Sequence, residues 1–325
     1  RLAAECPYRE YNAREYYTMT DAPLWVAQQQ VTDARASARV PIIRTFFDEA
    51  TFTATHVVHD PATKRAAIID PVLDFDQAAG CTSHASADAV IAYFREQGLT
   101  VDWLLETHAH ADHLSDAPYL QHELGGTLVI GREIITVQNV FAGVFNEPAS
   151  FARDGSQFDR LMDDGEQFVL GAIPAITLHV TGHTPACLAY VIGDAVFVGD
   201  TLFMPDYGTA RADFPGGDAR ELYRSIRRLM QLPGETRVFL CHDYKALGRD
   251  AFVWETTIGA ERTGDVHVRD GVSEDAFAAM REARDKTLGM PRLILPSIQI
   301  NSRAGHLPEP EANGVSYLKL PINLL

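Results

Sequence analysis

The feature that most constrains this chain is the run Thr107-His108-Ala109-His110-Ala111-Asp112-His113. Three imidazoles and a carboxylate packed so tightly are costly to bury unless something satisfies their lone pairs. Residues 101–106 mix β-branched and bulky apolar side chains and read as a buried strand. Asp112 and the segment Ser115-Asp116-Ala117-Pro118 read as helix-start chemistry. The cluster therefore sits where a strand ends and a helix begins, the usual place for chemistry in an open α/β sheet. Alternate side chains in such a turn converge, so His108 and His110 are expected to face one point and Asp112 and His113 a neighbouring one. Neutral imidazole and carboxylate suit zinc or iron. The plainer alternative is a polar loop with scattered histidines.

A chain of 325 residues that is 46% hydrophobic has an ample core, as one large domain or two ordinary ones. Its formal charge of -16 argues against nucleic acid or an anionic membrane surface as the main partner. A small anionic ligand needs only a few local cations and stays compatible. No apolar stretch approaches the roughly 20 residues that span a bilayer, and residues 1–10 lack the pattern of a signal peptide. Cys6, Cys81, Cys187 and Cys241 are widely spaced, as expected of reduced thiols in a cytoplasmic protein.

In chain order, residues 1–40 read as an N-terminal arm, an extension or a short peripheral helix, with Met19 a candidate natural start and 1–18 an added segment. Residues 41–250 read as the main domain. Strands are expected over 42–47, 52–58, 66–70, 101–107 and 128–130, with a hairpin turn at 60–64. Asp70 closes its strand before Pro71, and His56 and His59 read as surface or strand histidines. A helix over 85–97 takes Ser86 as a cap and Gly98 as its stop. Residues 137–153 read as a lid or a helix pair. Four close strands follow at 168–170, 175–180, 189–192 and 195–198, then an amphipathic helix over 218–232 and a strand at 238–240. Residues 251–325 read as a tail wrapping the same domain: a helix over 275–286, irregular Pro-rich stretches over 290–301 and 303–313, and a strand at 316–320.

Further metal-binding residue types close later strands or occupy the turns behind them. His183 lies in Thr181-Gly182-His183-Thr184-Pro185, Asp200 follows Val198-Gly199, and His242 lies in Leu240-Cys241-His242-Asp243-Tyr244. Singly each is a common strand end. Together they make five histidines and two aspartates at strand ends.

These motifs resemble the metallo-β-lactamase superfamily across about residues 42–244. The resemblance implies an α+β fold, the αββα sandwich of two mixed sheets with helices on the outer faces and metal in a cleft at one edge. Within it, Gly208-Thr209-Ala210-Arg211-Ala212-Asp213-Phe214 resembles the persulfide dioxygenases, and the tail around 295–300 resembles bacterial β-lactamase-like hydrolases. The resemblance implies one iron(II) per chain held by His108, His183 and Asp200, with glutathione persulfide and O2 as substrates and sulfite and glutathione as products. It also implies that Arg211 and Tyr244 bind glutathione. The plainer readings are an Arg211–Asp213 ion pair and strand-end packing for Tyr244. His110, Asp112, His113 and His242 are second-site ligands in the family's binuclear hydrolases, or a hydrogen-bonding surround when one metal is bound. The rival reading is a hydrolase of a glutathione thioester or another ester with one or two zinc ions. A homodimer is compatible with either. Cys241 reads as a small buried neighbour of the site, and His122, His179, His267 and His306 carry no motif.

Overall fold

The structure, a computed structural model, describes residues 21–324. The expectations for Cys6, Met19 and the segment before it lie outside the described residues. Helix α1 (Ala22–Ala36) opens them; Asp21 caps it by accepting from the Leu24 amide at 3.1 Å.

The first sheet is built from β1 (Ile42–Asp48), β2 (Thr53–His59), β3 (Arg65–Ile69), β6 (Thr100–Leu105), β8 (Thr127–Gly131) and β9 (Arg160–Met162), in that spatial order. Its first three strands are antiparallel, and β3, β6, β8 and β9 run parallel. The parallel connections carry α2 (Ala85–Gln97), α3 (Ala117–Leu124) and α4 (Ile134–Val144), as parallel pairing demands a crossover. A small sheet of β4 (Val72–Asp76), β5 (Cys81–Ser83) and β7 (Leu114–Ser115) lies at its side.

The second sheet runs β10 (Gln167–Leu170), β11 (Ile173–His179), β12 (Leu188–Ile192), β13 (Ala195–Phe197), β14 (Arg237–Phe239) and β15 (Glu255–Thr257). It is antiparallel except for the β13–β14 pair, which α5 (Ala219–Leu229) connects. The remaining helices are α6 (Ile258–Gly264), α7 (Glu274–Asp285) and α8 (Ile294–Asn301).

Three apolar layers make the sandwich. Ile69, Leu105, Leu188, Tyr190 and Phe197 fill the space between the sheets. Ile91, Phe94, Leu120 and Phe141 join the outer face of the first sheet to α2, α3 and α4. Val31, Leu178, Leu222, Ile226 and Phe277 join the second sheet to α1, α5 and α7. Each fully buried side chain of this kind contributes about 1.5–3 kcal/mol. The expected αββα arrangement of two mixed sheets is therefore the observed one.

Several local expectations need correction. Residues 294–301 form a helix: Pro296 falls in its first turn, where a missing N–H leaves no bond unmade. Residues 316–320 form no strand. The backbone of Lys319 is met instead by one side chain, since the Gln299 amide donates to its carbonyl at 3.0 Å and accepts from its N–H at 2.8 Å. The segment expected as a lid or helix pair contains the single helix α4, whose Phe141 is buried in the outer layer of the first sheet. Ser86 does not cap α2; its hydroxyl donates to Asp74, and the N-cap position is His84. His56 and His59 are strand histidines of β2, as one of the two expected readings had it, and both are buried.

Candidate metal centre

The two sheets are stitched together along the edge where their strands end. Thr53 bridges to His242, the Ala54 N–H donates to the Cys241 carbonyl at 2.7 Å, and the Leu188 N–H donates to the Thr107 carbonyl at 2.9 Å. This edge collects the histidine turn after β6, the turn carrying His183 after β11, Asp200 after β13 and His242 after β14. Gly199, with φ +53, is required beside Asp200, because a Cβ there would lie 2.7 Å from the Thr107 hydroxyl oxygen.

Seven side chains fall into two adjacent groups whose ligand atoms lie within 4.8 Å of one another: His108, His183 and Asp200, and His110, Asp112, His113 and His242. The turn thus splits differently from the expected pairing. His108 joins residues from two distant segments, whereas His110 joins Asp112 and His113. Asp200 lies between the groups, with Oδ2 3.9 Å from His108 Nε2 and 3.7 Å from His183 Nε2, and Oδ1 3.3 Å from His242 Nε2.

The protein fixes one nitrogen of each imidazole and leaves the other bare. The Thr107 hydroxyl donates to Asp70 at 2.9 Å, so its lone pair accepts from His108 Nδ1–H at 3.0 Å. His183 Nδ1–H donates to the Arg211 carbonyl at 2.7 Å. His242 Nδ1–H points to the Phe52 carbonyl at 3.2 Å, and His113 Nδ1 meets the Thr53 hydroxyl at 3.3 Å. His110 is turned over, with Nε2–H on Asp70 at 3.0 Å and 3.3 Å from Glu106. The remaining nitrogens of His108, His110, His113 and His242 are buried without a partner, as are one oxygen each of Asp112 and Asp200. Buried polar atoms are almost always bonded, so this convergence of bare lone pairs fits a metal ion and little else. Such outer hydrogen bonds are what orient metal-binding imidazoles.

Electrostatics favour the metal-binding forms of His108, His113 and Asp112 and the protonated forms of His110 and Asp200. Burial, followed by the neighbouring His110 and His183, holds His108 well below the ordinary histidine range and keeps its lone pair free. Burial and His110 bring His113 down to about 4. For His110 burial opposes charge, but Asp70 and Glu106 outweigh it and raise the group well above its ordinary value. Burial, then the nearby Asp112, raises Asp200, although His242 opposes the shift. Burial likewise works against the Asp112 carboxylate, yet His242 and His113 hold it well below its usual range.

A cavity of about 380 Å³ opens over the first group, with His183, Asp200 and Asp112 at its floor. Phe52, Phe203 and Leu288 give it apolar walls, and Arg211, Arg284 and Arg292 line it. Arg211 is thus placed at the cavity, but its guanidinium is also held by Asp213 at 2.5 and 2.8 Å and by the Gly289 carbonyl at 2.8 Å. The Tyr244 hydroxyl donates to Asp112 at 3.2 Å and its ring stacks on His242.

Sequence reasoning missed the residues behind this arrangement. Asp70 accepts three hydrogen bonds from the histidine turn; its place at a strand end before proline was the available signal. Glu106, a charge ending a buried strand, accepts from the Ser115 hydroxyl. Arg281, 1% exposed, pairs with Asp285, and together they grip the loop that carries Arg211 through the Thr209 carbonyl and the Ala212 N–H.

Two layered sheets with a buried His/Asp cluster at their common edge define a metal-binding sandwich protein. The chain belongs to the metallo-beta-lactamase superfamily, whose sequence model matches residues 50–242. It is 54% identical over 290 residues to a probable metallo-hydrolase of Burkholderia pseudomallei, covering 86% of this chain and 98% of that protein. It is 45% identical to glyoxylase B2 of Dictyostelium discoideum, over 87% of this chain and 97% of that one. It is 29% identical to the mitochondrial persulfide dioxygenase of Homo sapiens, over 75% and 85%. The crystal structure of ETHE1 from Myxococcus xanthus superposes with a TM-score of 0.64 at 31% identity, covering 82% of this chain and all of that one. No described helix is long and apolar enough to cross a membrane.

Proposed function

We propose that the chain is a glutathione-dependent persulfide dioxygenase, converting glutathione persulfide, O2 and water to glutathione and sulfite at a single iron(II) held by His108, His183 and Asp200. One observation carries this reading. Two imidazoles and a carboxylate from three separate segments meet beneath the cavity, with Asp200 3.7 Å from His183 and 3.9 Å from His108, too far to hydrogen-bond and with their ligand atoms within 4.8 Å of one another. Two histidines and one carboxylate on one face are the ligand set of non-haem iron(II) oxygenases. Bound iron(II) supplies the redox chemistry that O2 requires and zinc lacks.

The protein's own groups do the rest. The Arg211 carbonyl and Thr107 hydroxyl hold the two imidazoles by their outer nitrogens. Phe52, Phe203 and Leu288 keep water from the reacting sulfur. Arg211, Arg284 and Arg292 give the cavity a cationic side suited to the carboxylates of a glutathione substrate. Tyr244 donates to Asp112 and the His110 Nε2–H rests on Asp70 beside Glu106, which gives part of the second group a hydrogen-bonded surround. Residues 41–250 form the catalytic unit in this reading and 251–325 wrap it, and free Cys81, Cys187 and Cys241 support a cytoplasmic setting.

A second reading is a two-zinc hydrolase of a glutathione thioester or another ester. Asp200 offers one oxygen to each group, and the second group also has bare nitrogens. The names of the Burkholderia and Dictyostelium relatives fit this alternative. Metal analysis of natively purified protein, with a thioester assay, separates the two. About one iron per chain and no thioester turnover is expected; two tightly held zinc ions with thioester hydrolysis would replace the dioxygenase reading.

A further inference from the structure

The buried side chain of Asn301, the last residue of α8, reaches back to the histidine turn. Its Nδ2 donates to the carbonyls of both His110 and His113, each at 2.8 Å. Its Oδ1 accepts from the Ser115 N–H at 2.9 Å. All three are backbone groups of the histidine turn and of the strand that follows it. A planar amide with two donors and an acceptor answers all three at once.

The contact is built in rather than incidental. Leu293 and Ile300 seat the helix against Leu73 and Leu114 of the small sheet. Directly afterwards the chain passes so close to the turn that Gly305, with φ +88, has no room for a side chain: a Cβ would lie 2.8 Å from the Ser115 carbonyl and 2.6 Å from Pro118. This segment lies beyond residues 50–242, the part matched by the superfamily model.

We propose that Asn301 is a positioning residue for the metal centre: its three hydrogen bonds set the backbone of the turn and so fix where the 108–113 side chains present their lone pairs. The inference rests on reading the turn as metal-binding; it does not depend on which reaction follows. Asn301 touches neither substrate nor metal, so its effect must appear in how tightly and in what geometry the ion is held.

The test uses the full chain loaded with Co(II), comparing wild type with N301A, N301D and Q299A. Q299A breaks the neighbouring contact of α8 to Lys319 but spares the turn. The readouts are the visible Co(II) spectrum and the rate of Co(II) loss to a chelator, each beside the melting temperature of the metal-free protein. N301A should release Co(II) about 10- to 100-fold faster with an altered spectrum, while Q299A keeps the wild-type rate and spectrum whatever its melting temperature. N301D keeps the acceptor for Ser115, loses both donors and should behave like N301A, so it carries the comparison if N301A is unstable. A wild-type release rate and spectrum in N301A or N301D, even with a lowered melting temperature, would make Asn301 merely structural. A wild-type protein that takes up no Co(II) would remove both the metal reading and this inference. Tight Co(II) binding with no persulfide turnover by the iron-loaded enzyme would overturn the proposed function alone.

Discussion

The two ligand groups share an aspartate and a wall, yet the protein holds them differently. In the first, the closest approaches, 3.7 and 3.9 Å, are not hydrogen bonds, and each imidazole is steered from outside by one acceptor. In the second, His242 and Asp112 stand 3.1 Å apart, Tyr244 donates to Asp112, and His110 rests on two buried carboxylates. Bare buried atoms remain in both: His108 Nε2 and one Asp200 oxygen in the first, and His110 Nδ1, His113 Nε2, His242 Nε2 and one Asp112 oxygen in the second. A complete set of metal-binding residue types therefore does not by itself count metal ions.

The comparison breaks most sharply on substitution of the ligands themselves. His183→Ala should lose bound iron and reduce activity to background, while His113→Ala keeps about one iron per chain and loses only about 10- to 100-fold in turnover. Metal analysis with an activity assay decides it; iron retained in the first variant and lost from the second would reverse the roles. Asp285→Ala, outside both groups, should reach the first one alone through the loop that carries Arg211. It leaves the buried Arg281 guanidinium unpaired, at a cost of about 3–5 kcal/mol, and frees the loop whose carbonyl holds His183. A denaturant melt gives the stability loss, and faster metal release with an unshifted second group would sharpen the distinction.

Acid should act on the second group's support. His56 is buried between Phe197 and Phe239, with Nε2 2.9 Å from the Leu240 carbonyl just before His242. Burial brings its pKa from 6.5 down to about 4, against the opposing pull of that carbonyl and Asp70. The folded state then binds fewer protons than the unfolded one between these values. Its contribution is full above pH 6.5 and fades as pH falls towards 4, by up to about 3 kcal/mol. Metal-free melts across this range should flatten in His56→Phe. The smallest effect is expected for Arg211→Ala: KM for glutathione persulfide rises about tenfold, roughly 1.4 kcal/mol, with iron content unchanged, because the backbone carbonyl rather than the guanidinium holds His183. Loss of iron in that variant would make the side chain structural.

The sandwich and the candidate ligands were legible because each lies at the end of an apolar run of strand length, where period and punctuation coincide. Asp70, Glu106, Asn301 and the Arg281–Asp285 pair were not. Asp70, Asn301 and the Arg281–Asp285 pair meet partners 37 to 191 positions away, and Glu106 meets His110 and Ser115 only through the fold of the turn, so no local pattern marks them. The helix at 294–301 was hidden by Pro296, since a proline is harmless in a first turn but reads as a breaker until the start is known. The strand expected at 316–320 failed for the converse reason: its β-like composition is real, but a glutamine side chain rather than a neighbouring strand meets its backbone.

The central claim is that the first group holds a redox-active ion at which O2 oxidises persulfide sulfur. Its most direct test is oxygen uptake by protein loaded anaerobically with iron(II), on adding glutathione persulfide, with sulfite measured in the same vessel. Uptake of one O2 per sulfite formed, absent from His183→Ala, is the predicted result. Iron bound at one per chain with neither oxygen consumed nor sulfite formed would contradict it.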